Sequence, residues 1–288
     1  MNAVLELQGV AKKYPKSDFR LCDISFSLPA GSIMGFIGEN GAGKTTTIGC
    51  ILNTLKKDSG SVKVFGKEMT DASTDIRDDI GVVYDSSVFP QHLTAVKISS
   101  AMKHVYSKWD NTLFKDYLRQ FSLPENKTIK TYSRGMTMKL AVAAALSHHP
   151  KLLVLDEATT GLDPIIRDDI LEVFIDFVQD ENNAILLSSH IISDLERVAD
   201  YITFIHDGGI VFSEKKDDLV NGYGIMRCKA SQFEGIDKQD MLAYRKFDYQ
   251  VDVLVADRHA AERKYHDIII DNATIEEIML TLVKGAKL

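Results

Sequence analysis

The feature that most constrains this chain is "SIMGFIGENGAGKTT", residues 32–46. An apolar run meets a glycine-rich loop, and the loop runs into a segment with helical character. Gly38, Glu39, Asn40, Gly41, Ala42, Gly43, Lys44, Thr45 and Thr46 fit the spacing G-x-x-x-x-G-K-[ST] at Gly38, Gly43, Lys44 and Thr45. Glycines let successive backbone N–H groups turn inward around a phosphate, and a helix N-terminus adds positive potential. Lys44 is placed to reach β- and γ-phosphates, and the Thr45 hydroxyl to meet Mg²⁺. A chance glycine-rich turn has no reason to carry strand, loop and helix in register. The loop therefore commits this early stretch of the chain to a strand–loop–helix unit in an α/β layer.

The rest of the pattern fits around that unit. Residues 4–10 and 23–28 alternate apolar and polar, as half-buried antiparallel strands do. "SVKVFG" and "IGVVY" read as further strands, and residues 45–55 as the helix after the loop. From about residue 86 to 147 the strand signal disappears. Residues 93–109, 111–123 and 137–147 read as helices, which makes this a helical insertion. Strand and helix then alternate through "LLVLD", residues 165–178, "AILLSS", "IISDLERVA" and "YITFI", as in a parallel sheet covered on both faces. After "HDGGIVF" the pattern changes. The expected fold class is α/β, a phosphate-loop core with an antiparallel β subdomain and a helical insertion, over residues 1–220. Residues 221–288 are expected to form a small α+β accessory domain, ending in a helix with a Thr274/Glu277 capping box.

A second acidic element supports the loop. "LLVLDEATTGLDP" carries Asp156 and Glu157 off the end of an apolar strand, at the sheet edge where ligands bind in such folds. Asp156 suits a Mg²⁺ role, and Glu157 can orient or deprotonate an attacking water. Acids commonly end buried strands, so the pair gains its meaning from the loop. His190, after "SS", can hydrogen-bond a γ-phosphate or simply begin a helix. Tyr14, in "KKYPK", can stack on adenine, worth about 1–3 kcal/mol for base stacking, or be a plain surface tyrosine.

Composition narrows the classes. The formal net charge of −7 argues against a general nucleic-acid binder, though not against a local basic patch. Cys22, Cys50 and Cys228 are far apart and in no metal-ligand spacing, as expected of reduced thiols. No run approaches the roughly 18–20 apolar residues of a membrane span, and "MNAVLELQGV" has no secretory character.

The ordered set of phosphate loop, helical insertion, "YSRGM", "LLVLDEATTGLDP" and "LSSH" resembles the ATP-binding subunit of an ABC transporter over roughly residues 1–215. It is most similar to exporter-type ATPases of the bacitracin and phenol-soluble-modulin peptide kind. The resemblance implies ATP and Mg²⁺ as cofactors, a transmembrane permease as partner, and a second ATPase subunit closing head-to-tail. It places the chain at the cytoplasmic face of the cell membrane, with Phe89, His92 and Trp109 as candidate contacts for the permease or, equally, packing residues. It makes Glu157 the catalytic base, His190 the switch histidine and Asp163 the residue linking the two sites. Ser133 and Gly135 would contact the γ-phosphate held by the other subunit; the alternative is a plain helix cap. The family's usual L-S-G-G-Q reads here Tyr132-Ser133-Arg134-Gly135-Met136. The position usually held by Gln after the "IGVVY" strand is Asp85, expected either to ligate or water-bridge Mg²⁺ or to be a solvated loop acid. The rival reading is a soluble ABC-type ATPase acting on ribosomes or DNA. The single phosphate loop and the lack of sustained heptads weigh against it.

Overall fold

The computed structural model describes residues 3–16, 18–86 and 89–286. The chain opens with β1 (Ala3–Lys13), β2 (Arg20–Pro29) and β3 (Ser32–Ile37), followed by α1 (Lys44–Ile51). Next come β4 (Ser59–Val64), β5 (Lys67–Glu68), the single turn α2 (Thr74–Arg77) and β6 (Ile80–Tyr84). The insertion supplies α3 (Ala95–Met102), α4 (Asn111–Gln120) and α5 (Arg134–Leu146). The chain then alternates through β7 (Leu152–Asp156), α6 (Pro164–Phe177), β8 (Ala184–Ser189), α7 (Ile192–Val198) and β9 (Tyr201–His206), and turns into β10 (Gly209–Lys215).

Two sheets make the first part of the molecule. One runs β2-β1-β4-β5 and is antiparallel; the other runs β10-β9-β3-β8-β7-β6 and is parallel except at β10. Strands β3, β7 and β8 are buried at every position, which is what strands covered on both faces require. One face of the parallel sheet packs on the antiparallel sheet and α1 through Leu5, Leu28, Met34, Phe36 and Ile48. The other face meets α5, α6 and α7 in a core that includes Leu140, Phe174 and Leu195 and reaches into the insertion at Phe114 and Leu118.

Three helices are shorter than the periodicity suggests; the one expected over 111–123 ends at Gln120, with Ser122 left-handed at φ 54°. The segment after the phosphate loop stops at Ile51, not residue 55, because Asn53 turns left-handed at φ 53° and Leu55 N–H donates back to Gly49 O. The expected helix over 93–109 ends at Met102. Beyond it Asp78 accepts from the Ser107 N–H and hydroxyl, and the Tyr106 ring stacks on His148 at 3.8 Å. Tertiary contacts there override local helical preference.

The C-terminal part holds α8 (Lys216–Gly222), β11 (Gly224–Cys228), α9 (Ala230–Phe233), β12 (Ala243–Lys246), β13 (Val251–Val255), α10 (Arg258–Lys264), β14 (Ile269–Asn272) and α11 (Ile275–Lys284). Its antiparallel sheet runs β12-β13-β11-β14. Alternation along the strands divides it into two faces. Met226, Cys228, Val251, Val253 and Val255 make a small core of their own. Ile225 and Leu254 join the main core together with Ile275 and Ile278 of α11. Thr274 and Glu277 form the expected capping box, a device worth about 1 kcal/mol. The segment is thus fastened to the main body through its last helix and one face of its sheet.

Candidate active site

The phosphate loop joins β3 to α1. Gly43 sits at φ +117°, and a Cβ there would lie 2.6 Å from Leu21 Cδ2, so a side chain is excluded both by conformation and by space. No side chain caps α1 at Gly43. Its first N–H groups therefore point at the cleft as ready anion donors. Lys44 is 6% exposed. Its ammonium donates to Gly38 O at 2.7 Å and lies 3.2 Å from Glu157 Oε1.

The sheet register brings the acids to this loop. Asp156 ends β7 directly beside Ser188 of β8 and Tyr84 of β6. The Thr45 hydroxyl donates to Asp156 Oδ2 at 2.9 Å, and the Ser188 hydroxyl to Oδ1 at 2.6 Å. Glu157 follows at φ +57°, a left-handed conformation rare for glutamate, and its N–H donates back to Ser188 O. The Thr160 hydroxyl donates to Glu157 Oε2 at 2.7 Å, and His190 Nδ1 lies 2.6 Å from the same oxygen. Burial by itself would raise the Glu157 carboxyl. The Thr160 hydroxyl, the Lys44 ammonium and His190 outweigh it and hold the group below its ordinary range. Glu157 is a carboxylate at neutral pH, gripped by three partners and facing the phosphate loop.

Lys44, Thr45, Glu157, Thr160 and His190 line a single cleft of about 520 Å³, together with Glu39, Asn40, Gly41, Gly43 and Thr46. Of the predicted site residues, Tyr14 stands beside this cleft. It shares a neighbouring hollow with Phe19 and Thr46, its ring 6.3 Å from that of Phe19. Asp85 lines the main cleft, but its carboxylate is ion-paired with Arg134 at 2.5 Å instead of turning to Thr45 and Asp156. Among the described residues no three His, Cys, Asp or Glu side chains cluster as a metal cage. The Thr45 hydroxyl and Asp156 carboxylate are hard oxygen donors in mutual contact, which fits Mg²⁺ held partly by a nucleotide's own phosphates.

Ser133, Gly135 and Asp163 do not line this cleft. Ser133 caps α5, accepting from Met136 N, and Asp163 caps α6, accepting from Ile166 N. Gly135 admits Ile166, since a Cβ would lie 2.3 Å from Ile166 Cδ1. Of the three residues expected to meet a permease, Phe89 and Trp109 pack against the core, with Trp109 donating to Ser99 Oγ; His92 is exposed. Sequence reasoning missed Thr160, Ser188 and Phe19. A hydroxyl three residues after a strand-ending acid, and a serine at the buried end of a neighbouring strand, were the available signals for the first two.

Comparison with known proteins agrees with this geometry. Residues 21–160 match the family model described as ABC transporter. The bacitracin transport ATP-binding protein BcrA of Bacillus licheniformis is 32% identical over 216 residues, 73% of this chain and 69% of that protein. The lantibiotic transport ATP-binding protein SrtF of Streptococcus pyogenes is 32% identical over 220 residues, 76% of this chain and 93% of that protein. A solved ATP-binding subunit of an ABC transporter superposes with a TM-score of 0.69 at 26% identity, covering 75% of this chain and 91% of its own.

Proposed function

The chain belongs to the ABC transporter family of ATP-binding subunits, and from that premise we propose that it powers export of peptides or amphipathic antimicrobial molecules through a separate transmembrane subunit. The family binds and hydrolyses ATP. The observation that carries the catalytic reading is the Lys44–Glu157–Thr160–His190 network facing the uncapped start of α1. Lys44 and the α1 N–H groups bind the phosphates. Glu157, held ionised, takes a proton from the water aimed at the γ-phosphate, and His190 orients the carboxylate. Mg²⁺, held by Thr45 and Asp156, would offset charge on the phosphate oxygens. Tyr14 supplies the face on which adenine stacks.

Export of such molecules is supported by the similarity to the bacitracin and lantibiotic transport ATP-binding proteins. No helix among the described residues is long and apolar enough to cross a membrane. The proposed place is peripheral, on the cytoplasmic face, held there by the permease. The accessory segment 221–288 is proposed as a separate domain beside an ATPase domain of 1–220. Ser133, Gly135 and Asp163, which lie away from the chain's own cleft, are proposed to complete the site of a second subunit in a head-to-tail pair. Steady-state hydrolysis measured over a range of chain concentrations, with and without Mg²⁺, tests this. Specific activity is expected to rise with concentration and to need the metal. Constant specific activity down to high dilution would show that one chain suffices.

A further inference from the structure

Asp85 and Arg134 are 49 residues apart, yet Arg134 Nη2 donates to Asp85 Oδ1 at 2.5 Å. Both side chains are 52% exposed. An ion pair that open contributes little to stability, so its location matters more than its strength. Asp85 is the wall between two clefts. On one side is the phosphate cleft; on the other is a cleft of about 410 Å³ that Asp85 lines together with Gln91, Lys130, Tyr132 and Arg134. Arg134 is the first residue of α5, so the pair joins the catalytic sheet to the helical insertion. The guanidinium also lies against the loop that follows Glu157. A Cβ on Gly161 would come within 2.6 Å of Arg134 Nη1.

Two electrostatic facts give the pair a role. A cation on the first turn of a helix faces the positive end of the helix dipole and is misplaced unless an anion accompanies it. Asp85 is that anion. The described lining of the phosphate cleft carries three acids, Glu39, Asp85 and Glu157, against one lysine, Lys44, and buried Asp156 touches the lining residue Thr45. A polyphosphate drawn in by the α1 N–H groups therefore meets an excess of acidic side chains. Pairing with Arg134 removes one part of that excess.

We propose that Arg134 is a positioning residue for the phosphate cleft: seated on Gly161, it neutralises Asp85 and holds that carboxylate toward the insertion and away from the phosphates. The proposal rests on the reading of the cleft as an ATP site. It couples three segments, since any movement of α5 away from the sheet strips Asp85 of its partner and raises the negative charge that ATP must face.

The test is a double-mutant cycle in the full chain. Equilibrium ATP affinity is measured in EDTA, where hydrolysis and metal play no part, alongside KM and kcat with Mg²⁺ and the thermal midpoint of each variant. Arg134→Gln is expected to weaken ATP binding roughly three- to tenfold, as an unscreened like charge at the rim of a cleft should. Arg134→Lys should stay near wild type. Asp85→Asn should bind at least as tightly as wild type, and Asp85→Asn with Arg134→Gln should return to within about twofold of wild type, a strongly non-additive result. An Arg134→Gln penalty of equal size in both Asp85 backgrounds would overturn the proposal, because lost packing would then explain it. A wild-type chain that binds no ATP would overturn the nucleotide reading and this proposal with it, an outcome distinct from an additive cycle in a chain that does bind.

Discussion

Glu157→Gln should bind ATP with close to wild-type affinity and hydrolyse it about a hundred- to ten-thousandfold more slowly, the range over which a positioned general base acts. The substitution keeps the size of the side chain and keeps an oxygen for the Thr160 hydroxyl and His190, both of which now meet Glu157 Oε2. What it removes is the charge that takes the proton. Binding rests on Lys44, the loop amides and α1, none of which needs Glu157 to be ionised. With hydrolysis stalled, the ATP-bound pair of chains should accumulate, and light scattering after ATP addition should report a doubled mass. Because the Glu157 carboxyl is held below its ordinary range, the base is lost only below the usual glutamate pH. The acid limb of the wild-type rate profile should lie there. Normal turnover by Glu157→Gln would remove Glu157 from the chemistry.

Lys44→Ala should have an equally large effect of another kind. Lys44 spans the loop, donating to Gly38 O and lying beside Glu157 Oε1. It is the one lysine among the described residues lining the phosphate cleft. Its removal takes away the main positive charge facing β- and γ-phosphates and one of the groups that keep Glu157 ionised. Hydrolysis should fall about a hundred- to a thousandfold, the scale for losing a preorganised charge donor, and ATP affinity should fall with it. The two variants are told apart by binding: Glu157→Gln keeps ATP and Lys44→Ala loses it. Wild-type affinity in Lys44→Ala would show that the phosphates lie elsewhere.

Much of this site was legible in the sequence because its parts are local. The phosphate loop needs nine consecutive residues, and the left-handed turn at Gly43 (φ +117°) is a local demand that only glycine meets easily. Asp156 and Glu157 follow from an apolar strand ending in acids. The strand–helix alternation that makes the parallel sheet is likewise written in short runs. What could not be read depends on contacts between distant segments. Thr160 and Ser188 acquire meaning only when β8 lies beside β7 and the turn after Glu157 folds back. The ends of the helices near residues 51 and 102 are set by Asn53 and by the hold of Asp78 on Ser107, not by periodicity. Asp85 and Arg134 were visible singly as departures from a family pattern. That they meet is a fact of tertiary structure, and it gives Asp85 a partner at the start of α5. Trp109 carried the residue type of a docking contact or a packing residue, and its ring lies against Phe114 at 5.2 Å.

The most direct measurement is purification of the tagged chain from gently solubilised native membranes, with the co-purifying proteins identified by mass spectrometry. The proposed function predicts a polytopic membrane protein in stoichiometric amount, with ATP hydrolysis in the complex abolished by Glu157→Gln. Recovery of the chain on a ribosome, on DNA, or with no membrane protein at all would contradict the role as an export motor.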